Sequence, residues 1–300
     1  MRFIIILLTG TLFSPFIYAT NFATNFTEEL VGAKPASSNS FFKWGSSVRT
    51  EVSDERAYSG GKSLKFTFPG DPDLSKDSFS EQRFELDKKY TELWFRYKLW
   101  IPENYRHRSP EGPDNNKGLL MLWGESYNGY APTLSLHFQR SHREADPDQE
   151  DSYIYSAWRA NSHRTLNIKH QHNDRSFTLG ITSEDRGTWI DWVIKVKTST
   201  IDPDTAAENQ PRGNGIVQVW KNGNILWSIT DATNYYGGGA SDPGGVGDGW
   251  NYGYLLGWAN SGFDETTIFY LDDFLVGTTP EAVNFEENKP IFETVIRVDN

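Results

Sequence analysis

Three short stretches hold the residues whose types and spacing suit chemistry on a sugar acid. In QRFEL, Gln82 to Leu86, Arg83 and Glu85 share one strand parity while Phe84 and Leu86 take the other. A guanidinium steadied by a nearby carboxylate can grip a sugar carboxylate through two parallel hydrogen bonds. In TLSLHFQR, Thr133 to Arg140, the apolar Leu134, Leu136 and Phe138 alternate with Ser135, His137 and Gln139. A strand here buries the first set and presents the second to a groove. A neutral imidazole at His137 can accept a proton near neutral pH, and Gln139 and Arg140 can hold an anionic substrate. In NYGYLLGWANSG, Tyr252 and Tyr254 share a parity, as do Leu256 and Trp258. A phenol at Tyr252 or Tyr254 can donate a proton to a leaving oxygen, whereas Trp258 is expected in the core.

Two further groups carry binding potential. In LWFRYKLWI, Trp94, Arg96, Lys98 and Trp100 lie on one face, combining indoles for stacking with cations for an anionic chain, and are read as substrate-binding. Trp123 and Trp158 are further stacking candidates. Asp54, in VSDERAYSGGKS, and Asp272 with Asp273, in YLDDFLVG, meet if the terminal strands pair, and this oxygen-rich set suits a structural calcium ion. His170 and His172 are only two ligands, and a solvated loop is the expected setting. Glu184 and Asp185 lie beside a turn and read as solvated.

These residues need strands to position them, and strand signals recur along the chain. Alternating or aromatic runs are predicted at Ser63–Phe68, Gln82–Leu86, Leu93–Ile101, Leu119–Trp123, Thr133–Gln139, Tyr153–Trp158, Arg164–Ile168, Ser176–Ile181, Trp189–Lys197, Gly215–Trp220, Ile225–Ile229, Tyr252–Trp258 and Thr267–Val276. Asn222-Gly223 between Trp220 and Ile225 predicts a tight hairpin, because that pair readily takes positive φ. Many short strands without a long amphipathic helix predict an all-β, two-sheet antiparallel β-sandwich of jelly-roll type. Gly237 to Gly249 reads as a long loop, either a flap or a solvated insertion.

Composition agrees. Aromatics make up 15% of the chain, with 11 Trp, 14 Tyr and 26 Gly, and the formal charge is −11, which argues against nucleic acid as a partner but not against an acidic polysaccharide reached by a few local cations. Residues 1–19 have the layout of a secretory signal peptide: Arg2, an apolar run, then small residues near Ala19. Its removal would take the charge from −11 to −12. No cysteine is present, so neither a lipoprotein anchor nor a disulfide is expected. No later run is long enough to cross a bilayer. Residues 20–300 are read as a single domain of a monomeric periplasmic or extracellular protein.

Taken together, LWFRYKLWIPENY, the pairing of GTWIDWVIKVK with GIVQVWKNGNILW, and the closing YGYLLGW with TTIFYLDDFLVG resemble the concanavalin-like jelly-roll polysaccharide lyases, the relatives of alginate, glucuronan and heparin lyases. The resemblance runs roughly from Phe41 to Gly277. QRFEL is similar to the Arg-Thr-Glu-Leu strand motif of alginate lyases of this fold, with Phe84 in place of threonine. HFQ reverses their glutamine-apolar-histidine strand. Aligning Gly257 on the glycine of their Tyr-Phe-Lys-x-Gly motif puts Gly253 at the tyrosine, Tyr254 at the phenylalanine and Leu255 at the lysine. The resemblance implies β-elimination on a uronate polymer, with His137 or a tyrosinate as base, Tyr252 or Tyr254 as acid, and Arg83 with Gln139 neutralising the carboxylate. It needs no catalytic cofactor. Two alternatives stand beside it: a non-catalytic carbohydrate-binding sandwich, and a glycoside hydrolase, which requires two suitably spaced carboxylates.

Overall fold

The computed structural model describes residues 21–73, 75–106, 116–124, 133–140, 152–159, 179–201, 210, 213–232, 249–259 and 262–286; residues 116, 117, 133, 137, 139, 140, 152–159 and 179 are described by their backbone alone. The leader-like segment, Arg164–Ile168, His170, His172 and most of the glycine-rich loop lie outside this set. The strands are β1 (Asn21–Thr24), β2 (Phe42–Val48), β3 (Thr50–Ser53), β4 (Ser63–Phe68), β5 (Ser78–Tyr90), β6 (Glu92–Ile101), β7 (Asn116–Trp123), β8 (Thr133–Arg140), β9 (Ser152–Arg159), β10 (Leu179–Ile181), β11 (Thr188–Lys197), β12 (Gly215–Lys221), β13 (Asn224–Ala232), β14 (Trp250–Ala259) and β15 (Thr267–Gly277).

They form two antiparallel sheets. One runs β13-β12-β11-β6-β15-β4-β3, with β1 added to β15, and the other runs β10-β9-β8-β7-β14-β5-β2. Alternation decides what lies between them. In β6, Leu93, Phe95, Tyr97, Leu99 and Ile101 are fully buried, and in the facing sheet Leu134, Leu136 and Phe138 of β8 are buried with Phe84 and Leu86 of β5. Phe138 packs on Trp192 of β11 across the sandwich, ring centroids 5.6 Å apart. Burying each such side chain stabilises the fold by about 1.5–3 kcal/mol.

The expected sandwich is therefore the fold, an all-β jelly roll. The Asn222-Gly223 hairpin also forms as expected, with φ of 51° and 82° at the two residues, joining Lys221 to Asn224. β1, β2 and β3 carry no predicted strand. Each is short or interrupted by Gly and Ser, so its alternation is weak. Their pairing is nonetheless set by neighbours: β2 closes the sheet edge beside β5, and Phe22 and Phe42 stack 4.2 Å apart to seal the core at that end.

Asp272 and Asp273 of β15 meet the loop after β3 at Tyr58 and Ser59. Asp272 is fully buried and accepts the backbone N–H groups of Tyr58, Ser59 and Asp273 at 2.7–2.9 Å. Asp273 accepts the Ser59 hydroxyl, and Asp54 is exposed. Among the described residues no cluster of three or more His, Asp or Glu side chains is arranged to hold a metal. The loop's own donors thus bond carboxylate oxygens on which the calcium expectation relied. Asp185 is likewise buried, not solvated: it accepts the Thr182 N–H and the Lys221 ammonium, while Glu184 is exposed as expected.

Candidate active site

The outer face of the second sheet brings Arg83, Tyr252 and Tyr254 together. β14 pairs with β5 so that Tyr254 lies opposite Arg83 and Tyr252 opposite Glu85. On its other side β14 pairs with β7, placing Met121 beside Tyr254 and Trp123 beside Tyr252. Met121 in turn faces Ser135 of β8. Arg83, Tyr254, Met121 and Ser135 thus form one row across four strands, roughly 14 Å at about 4.8 Å per strand gap.

Aromatic packing fixes the middle of the row. The Trp123 ring stacks on Tyr252 at 6.0 Å and lies tilted to Tyr254 at 5.9 Å. The Arg83 guanidinium sits 5.6 Å from the Trp123 ring centroid, within cation–π range. Glu85, expected to steady Arg83, instead pairs with Lys43 of β2 at 2.9 Å, which raises the lysine's pKa through the hydrogen bond. Among the described residues a carboxylate on Arg83 is that of Glu81, bonded to Nε. Sequence reading missed Glu81, although the signal was present: Glu81, Arg83 and Glu85 share one strand parity. It also missed Lys43, because β2 itself was not foreseen.

Two backbone irregularities shape the same face beside His137. In β14, Leu256 and Gly257 both take positive φ, 60° and 75°, and the pairing with β7 shifts between Leu255 and Ala259. In β7 the register to β8 shifts between Gly118 and Leu120, and His137 lies opposite Gly118. Leu119 is the extra residue, and its carbonyl accepts the buried Tyr97 hydroxyl from the opposite sheet. Bulges of this sort re-aim side chains and occur often next to active sites. Both glycines are sterically required. A Cβ on Gly118 would fall 1.5 Å from the Leu256 carbonyl oxygen, and one on Gly257 would fall 2.3 Å from the Tyr254 ring.

The bulge also breaks the alternation at Leu256 in the last part of β14. Leu256 is buried, while Trp258 is 45% exposed and leans on Phe79, so Trp258 is not a core residue. Leu134, Leu136 and Phe138 face the core as expected, and Ser135 is half-buried on the alternate parity. For His137, Gln139 and Arg140 the structure gives backbone places only: opposite Gly118, Asn116 and Ser152 respectively.

Trp94, Arg96, Lys98 and Trp100 do not join this site. The core-facing residues of β6 put them on the outer face of the other sheet. There Trp94 is buried against Trp220 and Phe285. Arg96 grips Asp191 through two bonds of 3.1 and 2.8 Å and donates to the Asn284 carbonyl. Lys98 reaches the same Asp191 at 3.0 Å, and these two cations hold that carboxyl below its usual range against the opposing effect of burial. Trp100 lies under Arg56 at 3.8 Å and edge-on to Trp189. A cleft of about 580 Å³ opens beside Arg96, Lys98, Tyr58 and Asp273.

The fold and this face define a jelly-roll sandwich that carries a cation, carboxylates and phenols on one outer sheet surface. A family profile described as polysaccharide lyase matches residues 32–273, and the chain belongs to that family. Among solved structures it is similar to a double mutant of the alginate lyase Aly36B in complex with an alginate tetrasaccharide, with TM-score 0.55, 12% identity, and 87% of this chain and 98% of that chain covered. It is also similar to endo-β-1,4-glucuronan lyase from the fungus Trichoderma reesei, with TM-score 0.51, 13% identity, and 82% and 98% covered. At such identities the likeness is one of fold. No curated protein matches the sequence.

Proposed function

We propose that the protein depolymerises a uronate-containing polysaccharide by β-elimination on the outer face of the sheet that carries Arg83 and Tyr254. The observation that carries this reading is the register: Arg83 lies directly opposite Tyr254, and the backbone of His137 lies two strands further across, beside the paired bulges. Family membership supports the reaction class.

In this reading Arg83, with Gln139, neutralises the uronate carboxylate. Loss of the C5 proton delocalises charge onto that carboxylate, so a fixed cation there lowers the barrier. His137 or a tyrosinate takes the C5 proton. Tyr252 or Tyr254 gives a proton to the departing O4 as the C4–O4 bond breaks, leaving a C4–C5 double bond and a new chain end. Trp123 and Tyr252, stacked together, offer a platform for a neighbouring sugar ring. The leader-like N-terminus suits export to the compartment where such polymers occur.

The test is a screen of alginate, glucuronan, ulvan and glycosaminoglycans with wild type, His137→Ala, Arg83→Ala, Tyr252→Phe and Tyr254→Phe. Elimination conjugates the new double bond to the carboxylate, so ultraviolet absorbance should rise as chains shorten. Loss of the base or acid should lower kcat by roughly 10²–10⁴-fold, and Arg83→Ala should weaken both kcat and KM. Reducing ends without absorbance would replace this reading with hydrolysis. Binding without new ends would replace it with a carbohydrate-binding module, and undiminished turnover in His137→Ala would remove that residue from the mechanism.

A further inference from the structure

Glu81 is an anomaly on the candidate face. Its side chain is 3% exposed, against 38% for its partner Arg83. In register it lies between two apolar residues, Val48 of β2 and Leu256 of the β14 bulge. One oxygen, Oε1, accepts from Arg83 Nε. The other, Oε2, is buried without a hydrogen-bond partner among the described residues. Burial raises the Glu81 pKa, opposed by Arg83. Such a carboxylate is costly: an ion pair in an apolar setting is commonly neutral or destabilising beside a hydrophobic replacement. A costly buried polar group calls for a role other than stability.

We propose that Glu81 is a positioning residue that orients Arg83 toward the substrate carboxylate. The guanidinium is planar, so a fixed acceptor at Nε sets the direction of the plane, and the Trp123 ring packs near its Cζ. Together the two contacts restrict a long side chain, removing entropy before substrate arrives. Gly45 of β2 contributes space: a Cβ there would come within 3.1 Å of the Arg83 Cβ. This inference rests on the lyase reading for its consequence but not for its geometry.

The experiment therefore has two arms. In the first, Arg side-chain Nε–H resonances are recorded for wild type, Glu81→Leu and Glu81→Gln, with Arg83→Lys supplying the assignment. Wild type should show a slowly exchanging Arg83 Nε–H that becomes fast in Glu81→Leu and intermediate in Glu81→Gln, which keeps an acceptor of the same length. Equal exchange in all three overturns the proposal whatever the enzyme activity.

In the second arm, melting curves and kcat/KM on the responsive polymer are measured for Glu81→Leu, Arg83→Ala and the double variant. Positioning predicts an unchanged or higher melting midpoint for Glu81→Leu with kcat/KM down about tenfold or more, and no further loss when Arg83 is already absent. A lowered midpoint with losses that simply add overturns the proposal in favour of a structural role. Wild type that fails to cleave any uronate polymer overturns the lyase reading, while the resonance arm still decides the position of Arg83.

Discussion

Gly257 meets two demands that no other residue meets together. Its φ of 75° lies where L-residues pay about 1–2 kcal/mol, and a side chain there would intrude on the Tyr254 ring. Gly257→Ala should thus cost about 2 kcal/mol or more and displace Tyr254. We expect a melting midpoint lowered by several degrees and a larger fractional loss of kcat than of binding, read by parallel melting and turnover assays. Loss of stability with kcat intact would show that Tyr254 is not held for chemistry by this contact. Tyr254 is only 6% exposed, so its reach depends on where its hydroxyl sits, and small displacements matter.

At the scale of elements, β15 is tied to the loop after β3 by Asp272. Burial pushes this carboxyl up to about 6 even though three backbone N–H groups oppose the shift. An unfolded aspartate titrates near 4. Between those values the folded protein binds the proton more tightly than the unfolded chain, so the Asp272 contribution to stability falls as pH rises from about 4 to 6. Glu55 and Asp191 have lowered pKa values and act in the opposite direction, losing stability as pH falls. The clean measure is therefore a difference. The melting midpoint of wild type minus that of Asp272→Asn should decrease from pH 4 to pH 6.5 and level off above. A flat difference would mean that Asp272 titrates as it does in the unfolded chain.

At the scale of the whole molecule, the two outer faces carry different side-chain networks. One bears Arg83, the tyrosines and the bulges. The other bears a network in which Arg96 and Lys98 share Asp191 and Trp94 packs beneath the segment at Val283 and Phe285. Lys98→Met and Arg96→Met should shift the melting midpoint while leaving KM for polymer unchanged within about twofold, because the sandwich thickness separates them from the candidate site. A several-fold rise in KM without any thermal effect would instead give the second face a part in binding.

The alternation of apolar residues was enough to specify the sandwich, the burial of Leu134, Leu136 and Phe138, and the Asn222-Gly223 hairpin, because strand parity and turn conformation are local properties. Local pattern also placed Arg83 on the polar parity and nominated Tyr252 and Tyr254. It could not pair them. That Tyr254 meets Arg83, that Glu81 and not Glu85 holds the guanidinium, and that Lys43 occupies Glu85 all depend on strand neighbours far apart in the chain. The same holds for Trp94 to Trp100, whose cations and indoles read as a binding face until the sheet order put them on the side away from Arg83. At Leu256 parity itself failed, since its positive φ buries a side chain that alternation groups with Tyr252, Tyr254 and the exposed Trp258. Tertiary structure decided these points because a sheet face is assembled across strands, whereas sequence periodicity describes each strand alone.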